Sequence, residues 1–152
     1  MGDSIKFEIS ISTDNDGYVL LQCPNCGTFF KVTPEDFQSE CVLDIHCPSC
    51  GLIGDNYLTQ DVLDLAFVKA RNWTREYIED EQKKLETRSA GIVSFSVESK
   101  LEREHESPII STIDAMEIVS FTCCHKSIKI IPLYKMTGCY CPFCGVINYD
   151  FD

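Results

Sequence analysis

Three copies of one pentapeptide constrain this chain more than any other feature: Cys23-Pro-Asn-Cys26-Gly27, Cys47-Pro-Ser-Cys50-Gly51 and Cys141-Pro-Phe-Cys144-Gly145. A Cys-x-x-Cys turn curls the backbone around one ion, and its amides then point at two sulfurs. The following Gly permits the left-handed conformation such a turn needs. Two of these turns supply four thiolates, the closed tetrahedral set that structural zinc takes. Twenty residues separate Cys26 from Cys47, which matches the paired Cys-x2-Cys spacing of zinc sites. Cys23, Cys26, Cys47 and Cys50 are therefore the expected ligands of a first ion. A redox dithiol would instead be a single pair opening a helix in a βαβ unit. Here the motifs are paired, and strand-like Phe29-Phe30-Lys31-Val32 follows the first.

A second cluster combines Cys123-Cys124-His125 with Cys139, Cys141 and Cys144. Cys26-Gly-Thr-Phe-Phe-Lys-Val-Thr-Pro34 aligns without a gap on Cys124-His-Lys-Ser-Ile-Lys-Ile-Ile-Pro132, matching Lys31 with Lys129 and the two prolines. Cys124 is then the counterpart of Cys26, and the first ligand becomes Cys123, without the usual two spacer residues. The expected set is Cys123, Cys124, Cys141 and Cys144, with His125 or Cys139 able to replace Cys123 or Cys124. Two zinc ions per chain are expected, both structural. Cys41 and His46 read as a packed thiol and a surface imidazole.

These residues resemble the zinc-ribbon (rubredoxin-like) superfamily over roughly residues 18–58 and 118–151. The resemblance implies a small β-ribbon fold and a bound metal. It does not imply one activity, because ribbons serve as nucleic-acid contacts, docking modules and structural staples.

Around the knuckles, hydrophobic periodicity organises the chain. Ile5, Phe7, Ile9 and Ile11 alternate with polar residues as in a half-buried strand. A turn at residues 13–17 leads to a second strand over 18–22, which predicts a hairpin entering the first ribbon. From Thr59 or Asp61 as N-cap to about Ser89 the pattern is helical, with Val62, Ala66, Ala70, Trp73 and Tyr77 on a core stripe. Ile92, Val93, Phe95 and Val97 are strand-like, residues 99–108 are a polar loop, and Ile109–Ile113 and Met116–Phe121 are apolar again. The predicted fold is α+β: two small ribbon modules flanking a long helix and a strand region. The expected boundaries are 1–58, 59–90 and 91–152.

Ten cysteines without a basic-then-apolar leader point to a reducing, cytoplasmic setting, and no apolar run approaches the about 18 residues of a membrane span. Net charge is −11, and residues 1–59 hold two lysines against nine acids. Nucleic-acid binders depend on a surplus of Lys and Arg to displace counterions. The leading expectation is thus a non-catalytic zinc-binding adaptor or accessory subunit that meets a protein partner with a basic surface. Glu35, Asp36, Glu40 and Asp44 are its docking candidates. The alternative is a nucleic-acid-binding or transcription-associated ribbon using Lys126, Lys129 and Lys135. No Ser, His or Asp lies in a recognisable catalytic motif, so no catalytic residue is assigned.

Overall fold

The computed structural model describes residues 4–89, 91, 102–109 and 113–151. The chain divides into two compact units, Met1–Ser10 with Asp61–Ile109, and Ile11–Gln60 with Ile110–Asp152.

The second unit holds every cysteine and is built on a four-stranded antiparallel sheet. β1 (Val19–Gln22) and β2 (Phe29–Val32) form a hairpin whose turn contains Cys23 and Cys26. β3 (Glu117–Ser120) and β4 (Ser127–Ile130) form a second hairpin whose turn contains Cys123 and Cys124. The sheet order is β1-β2-β4-β3, so the two hairpins meet along their inner strands, at Lys31 opposite Lys129. The two cysteine-bearing segments thus share one sheet and one core rather than standing as separate modules at either end of the chain. Leu21, Phe30, Val32, Val119, Phe121, Ile128 and Ile130 fill that core.

On each hairpin a proline-initiated helix follows the inner strand: α1 (Pro34–Phe37) after β2, capped by the Thr33 hydroxyl, and α3 (Pro132–Thr137) after β4. The preset φ of proline suits the first helical turn. A small hairpin, β5 (Cys139–Tyr140) with β6 (Ile147–Asn148), carries the third knuckle. A single bridge, His46 to Ile53, does the same for the second knuckle.

The expected strand over Ile5–Ile11 does not form. β1 pairs with β2 instead, and residues 4–13 have no regular structure. The β1–β2 turn closes a short loop, which costs little chain entropy, and leads directly into the cysteine knuckle. Residues up to Ser10 belong to the other unit, where the Lys69 ammonium donates to the Glu8 carbonyl at 3.2 Å.

That first unit is dominated by the long helix α2 (Gln60–Ser89), close to its predicted span. The stripe is only partly buried. Val62 is enclosed, but Trp73 and Tyr77 are exposed and stack on each other, 5.4 Å between centroids. The buried side chain beside them is Asn72, whose amide grips the extended segment 102–106. Its Nδ2 donates to the Glu104 carbonyl at 3.0 Å, and its Oδ1 accepts from the Glu104 amide at 2.9 Å. Arg71 and Arg75 hold the Glu104 carboxylate. Polar clamping of this segment, rather than apolar packing of Trp73 and Tyr77, uses the inward face of α2. The strand expected over Ile92–Val97 and part of that at Ile109–Ile113 lie outside the described residues. Among the described residues no helix is long and apolar enough to cross a membrane.

Candidate metal centres

The four knuckles bring their sulfurs together in two groups of four. Cys23, Cys26, Cys47 and Cys50 form one group; Cys123, Cys124, Cys141 and Cys144 form the other. Within each group every sulfur lies within 4.8 Å of the rest. Cys23 Sγ is 3.8 Å from Cys50 Sγ, and Cys26 Sγ is 3.5 Å from Cys47 Sγ. Cys144 Sγ lies 3.4 Å from Cys123 Sγ. A tetrahedron with zinc–sulfur bonds of about 2.3 Å has edges of roughly 3.8 Å. The donors present therefore fit a metal of that size and softness, and the two clusters could hold two ions.

The backbone supplies the amides that such sulfurs need. In the first knuckle the Gly27 amide donates to the Cys23 carbonyl and the Cys23 amide to the Thr28 carbonyl, both at 2.9 Å. Gly27, Gly51 and Gly145 all adopt positive φ, between 72° and 75°. The Ser49 and Cys50 amides aim at Cys47 Sγ, and those of Phe143 and Cys144 at Cys141 Sγ. Charge-assisted donors of this kind stabilise the thiolate. Burial drives the Cys47 and Cys141 thiols upward despite them. Burial also opposes ionisation of Cys26, but hydrogen bonds from the Thr28 hydroxyl and amide outweigh it and hold that thiol at about 6. Cys144 is likewise lowered: burial is outweighed by the Val146 amide and neighbouring thiols. Each cluster thus contains one thiol that ionises more readily than an ordinary cysteine.

The four sulfurs that meet in the second cluster are those of Cys123, Cys124, Cys141 and Cys144, and neither His125 nor Cys139 belongs to the group. The β3–β4 turn repeats the first knuckle bond for bond: His125 N–H donates to the Phe121 carbonyl, and Phe121 N–H to the Lys126 carbonyl, both at 2.9 Å. Phe121 therefore stands where Cys23 stands, buried in the core and edge-on to Phe151. Cys123, near the tip of the same turn, supplies the sulfur. His125 takes the position of Gly27 and is the one non-glycine residue at positive φ among those described, at 53°.

The far knuckles correspond equally well. Cys47 and Cys141 amides donate to Leu52 and Val146 carbonyls at 2.9 and 2.8 Å. This makes Cys139 the counterpart of Ile45, and both are buried. Burial pushes the Cys139 thiol up to about 12, as suits a packing residue. Cys41 is exposed, and His46 lies outside both clusters. Extending the gapless alignment three residues before Cys124 would have placed Phe121 on Cys23; that was the legible signal for the displaced ligand.

Of the lysines singled out in the second half, Lys129 is buried. It and Lys31 converge on Asp14 Oδ2 at 2.7 and 3.0 Å, and Lys129 also reaches Asp16. Burial opposes the Asp14 charge, but the two ammonium groups and the Tyr18 and Asp16 amides hold its carboxyl far below the usual range. Lys126 pairs with Asp36 at 3.1 Å and lies over the Phe143 ring. Lys135 reaches Glu117 at 3.7 Å.

Comparison of the chain with protein-family models, with curated proteins and with solved structures finds no match.

Proposed function

We propose that this chain is a zinc-stabilised adaptor or accessory subunit that works through protein–protein contact in a reducing, cytoplasmic setting. The observation that carries the reading is that each sulfur cluster is a complete set of four, while large apolar side chains stand exposed on the same sheet unit. Eight cysteines account for two four-sulfur sets, and catalytic zinc requires a position left open for water or substrate. Leu133 and Met136, one turn apart on α3, are 60% and 86% exposed, and Leu43 is 93% exposed. Glu35, Glu40 and Asp44 are exposed near Leu43 in sequence, which suits a partner with a basic surface. Asp36 leaves that set: it receives the Thr33 hydroxyl and pairs with Lys126. The nucleic-acid alternative loses support, since Lys126, Lys129 and Lys135 all face carboxylates.

The test is affinity recovery of partners with mass spectrometry. Wild type is compared with Leu133→Asp/Met136→Asp and with Glu35→Lys/Glu40→Lys/Asp44→Lys. The proposal expects a defined partner to be lost with at least one variant while both variants keep two zinc ions. Undiminished recovery with both would sink it. Steeply salt-dependent binding to single-stranded DNA would promote the alternative.

A further inference from the structure

The two halves of the sheet unit are not merely adjacent; they exchange the same contacts in both directions. His46 N–H donates to the Pro142 carbonyl at 2.8 Å, and Tyr140 N–H to the Pro48 carbonyl at 2.9 Å. His46 is the counterpart of Tyr140, and Pro48 of Pro142. A Cβ placed on Gly51 would meet the Tyr140 ring at 2.9 Å, and one on Gly145 would meet the His46 ring at 2.8 Å. Between these reciprocal pairs, Lys31 lies opposite its own counterpart Lys129. Contacts that recur with partners interchanged define an isologous two-fold interface, here formed within one chain.

We propose that the two clusters are a single coupled metal-binding unit, in which an ion at either one raises the affinity of the other. This rests on the reading that both clusters take zinc. The coupling follows from where the exchanged atoms sit. His46 and Pro48 flank Cys47, and Tyr140 and Pro142 flank Cys141, so both exchanged backbone hydrogen bonds are made by residues next to a cluster cysteine. Drawing Cys47 into a four-sulfur set positions His46 and Pro48, and these in turn position the backbone on both sides of Cys141. With the first cluster empty of metal, Cys47 loses its tether. The Pro142 carbonyl and the Tyr140 amide then lose ordered partners, although both are buried or half-buried. The same argument runs in reverse, and linkage requires the factor to be equal in the two directions.

The experiment titrates zinc into the metal-free full chain under reducing conditions. It counts species by native mass spectrometry and measures affinity by chelator competition. Coupled sites typically differ by about 5- to 150-fold. Two equal and independent sites would place about half of the chains in the one-zinc form at half loading; tenfold coupling lowers this to about a quarter. Cys26→Ser/Cys50→Ser should weaken zinc at the second cluster roughly tenfold or more, and Cys123→Ser/Cys144→Ser should weaken the first by a similar factor. His46→Ala/Tyr140→Ala keeps all eight sulfurs and both exchanged backbone hydrogen bonds but removes the rings packed on Gly145 and Gly51. It should still bind two ions, with the one-zinc form raised above the wild-type level by the share of the coupling that those rings carry. Wild-type affinity at the surviving cluster of either serine variant would overturn the coupling and leave the zinc reading intact. Failure of the wild type to bind zinc at all would overturn the zinc reading, and the coupling with it.

Discussion

The first and second cysteine clusters sit on the same backbone but are not the same site. In the first, each cysteine occupies its place in a regular knuckle. In the second, Phe121 fills the leading position and Cys123, two residues later, provides the sulfur. The turn keeps its hydrogen bonds in both. The difference teaches that the knuckle's shape and its ligand set are separable. Backbone amides and a left-handed residue make the turn, and four sulfurs within reach of one point make the site. Phe121, packed against Phe151, adds core at the expense of regular ligand placement.

The largest effect expected from breaking this comparison comes from removing metal. Structural zinc contributes about 10–16 kcal/mol of apparent free energy in finger peptides, more than the whole net stability of most domains. Cys50→Ser should therefore unfold the sheet unit while helix α2 stays partly formed. Circular dichroism during thermal melting, with zinc quantified, checks this; a melt like wild type would exclude a stabilising role.

Returning the displaced ligand to its regular place sharpens the comparison. Phe121→Cys with Cys123→Ser gives the second cluster the arrangement of the first. The variant should still bind two zinc ions, yet lose about 3–5 kcal/mol because a fully buried ring is truncated. Denaturant unfolding with zinc quantification decides it. Loss of the second ion would mean that the turn cannot accept the regular ligand.

Cys139→Ala asks whether this buried cysteine belongs to either site. As the counterpart of Ile45 it should cost only about 1–2 kcal/mol, the ordinary range for trimming a packed side chain. The zinc count should remain two.

The smallest effect has the opposite sign. His125 holds a left-handed conformation where the first knuckle has Gly27, and such a conformation costs a non-glycine residue about 1–2 kcal/mol. Its side chain is exposed. His125→Gly should raise stability by about 0.5–1 kcal/mol after the added freedom of glycine in the unfolded chain is offset. A fall in stability would assign the imidazole a contact beyond its backbone.

What could be read from the residues alone was local. Cysteine spacing within a knuckle, a glycine after it and the span of α2 each depend on a few neighbours, and all of them carried through to the structure. The eight cysteines that converge were recognisable because chelation by a short turn is a geometric property of that turn. The pairing of whole segments was decided at the tertiary level. Ile5–Ile11 had the alternation of a strand, but residues up to Ser10 group with the unit of α2, and β1 pairs with β2. Trp73 and Tyr77 had the spacing of core residues, but Asn72 engaged the backbone of Glu104 and set which face of α2 turned inward. Lys129 read with Lys126 and Lys135 as a basic strand face until two hairpins met at Lys31 and Lys129 and Asp14 and Asp16 paired with them. Edge pairing and burial are competitions among all segments of the chain, so no single stretch of sequence contains their outcome.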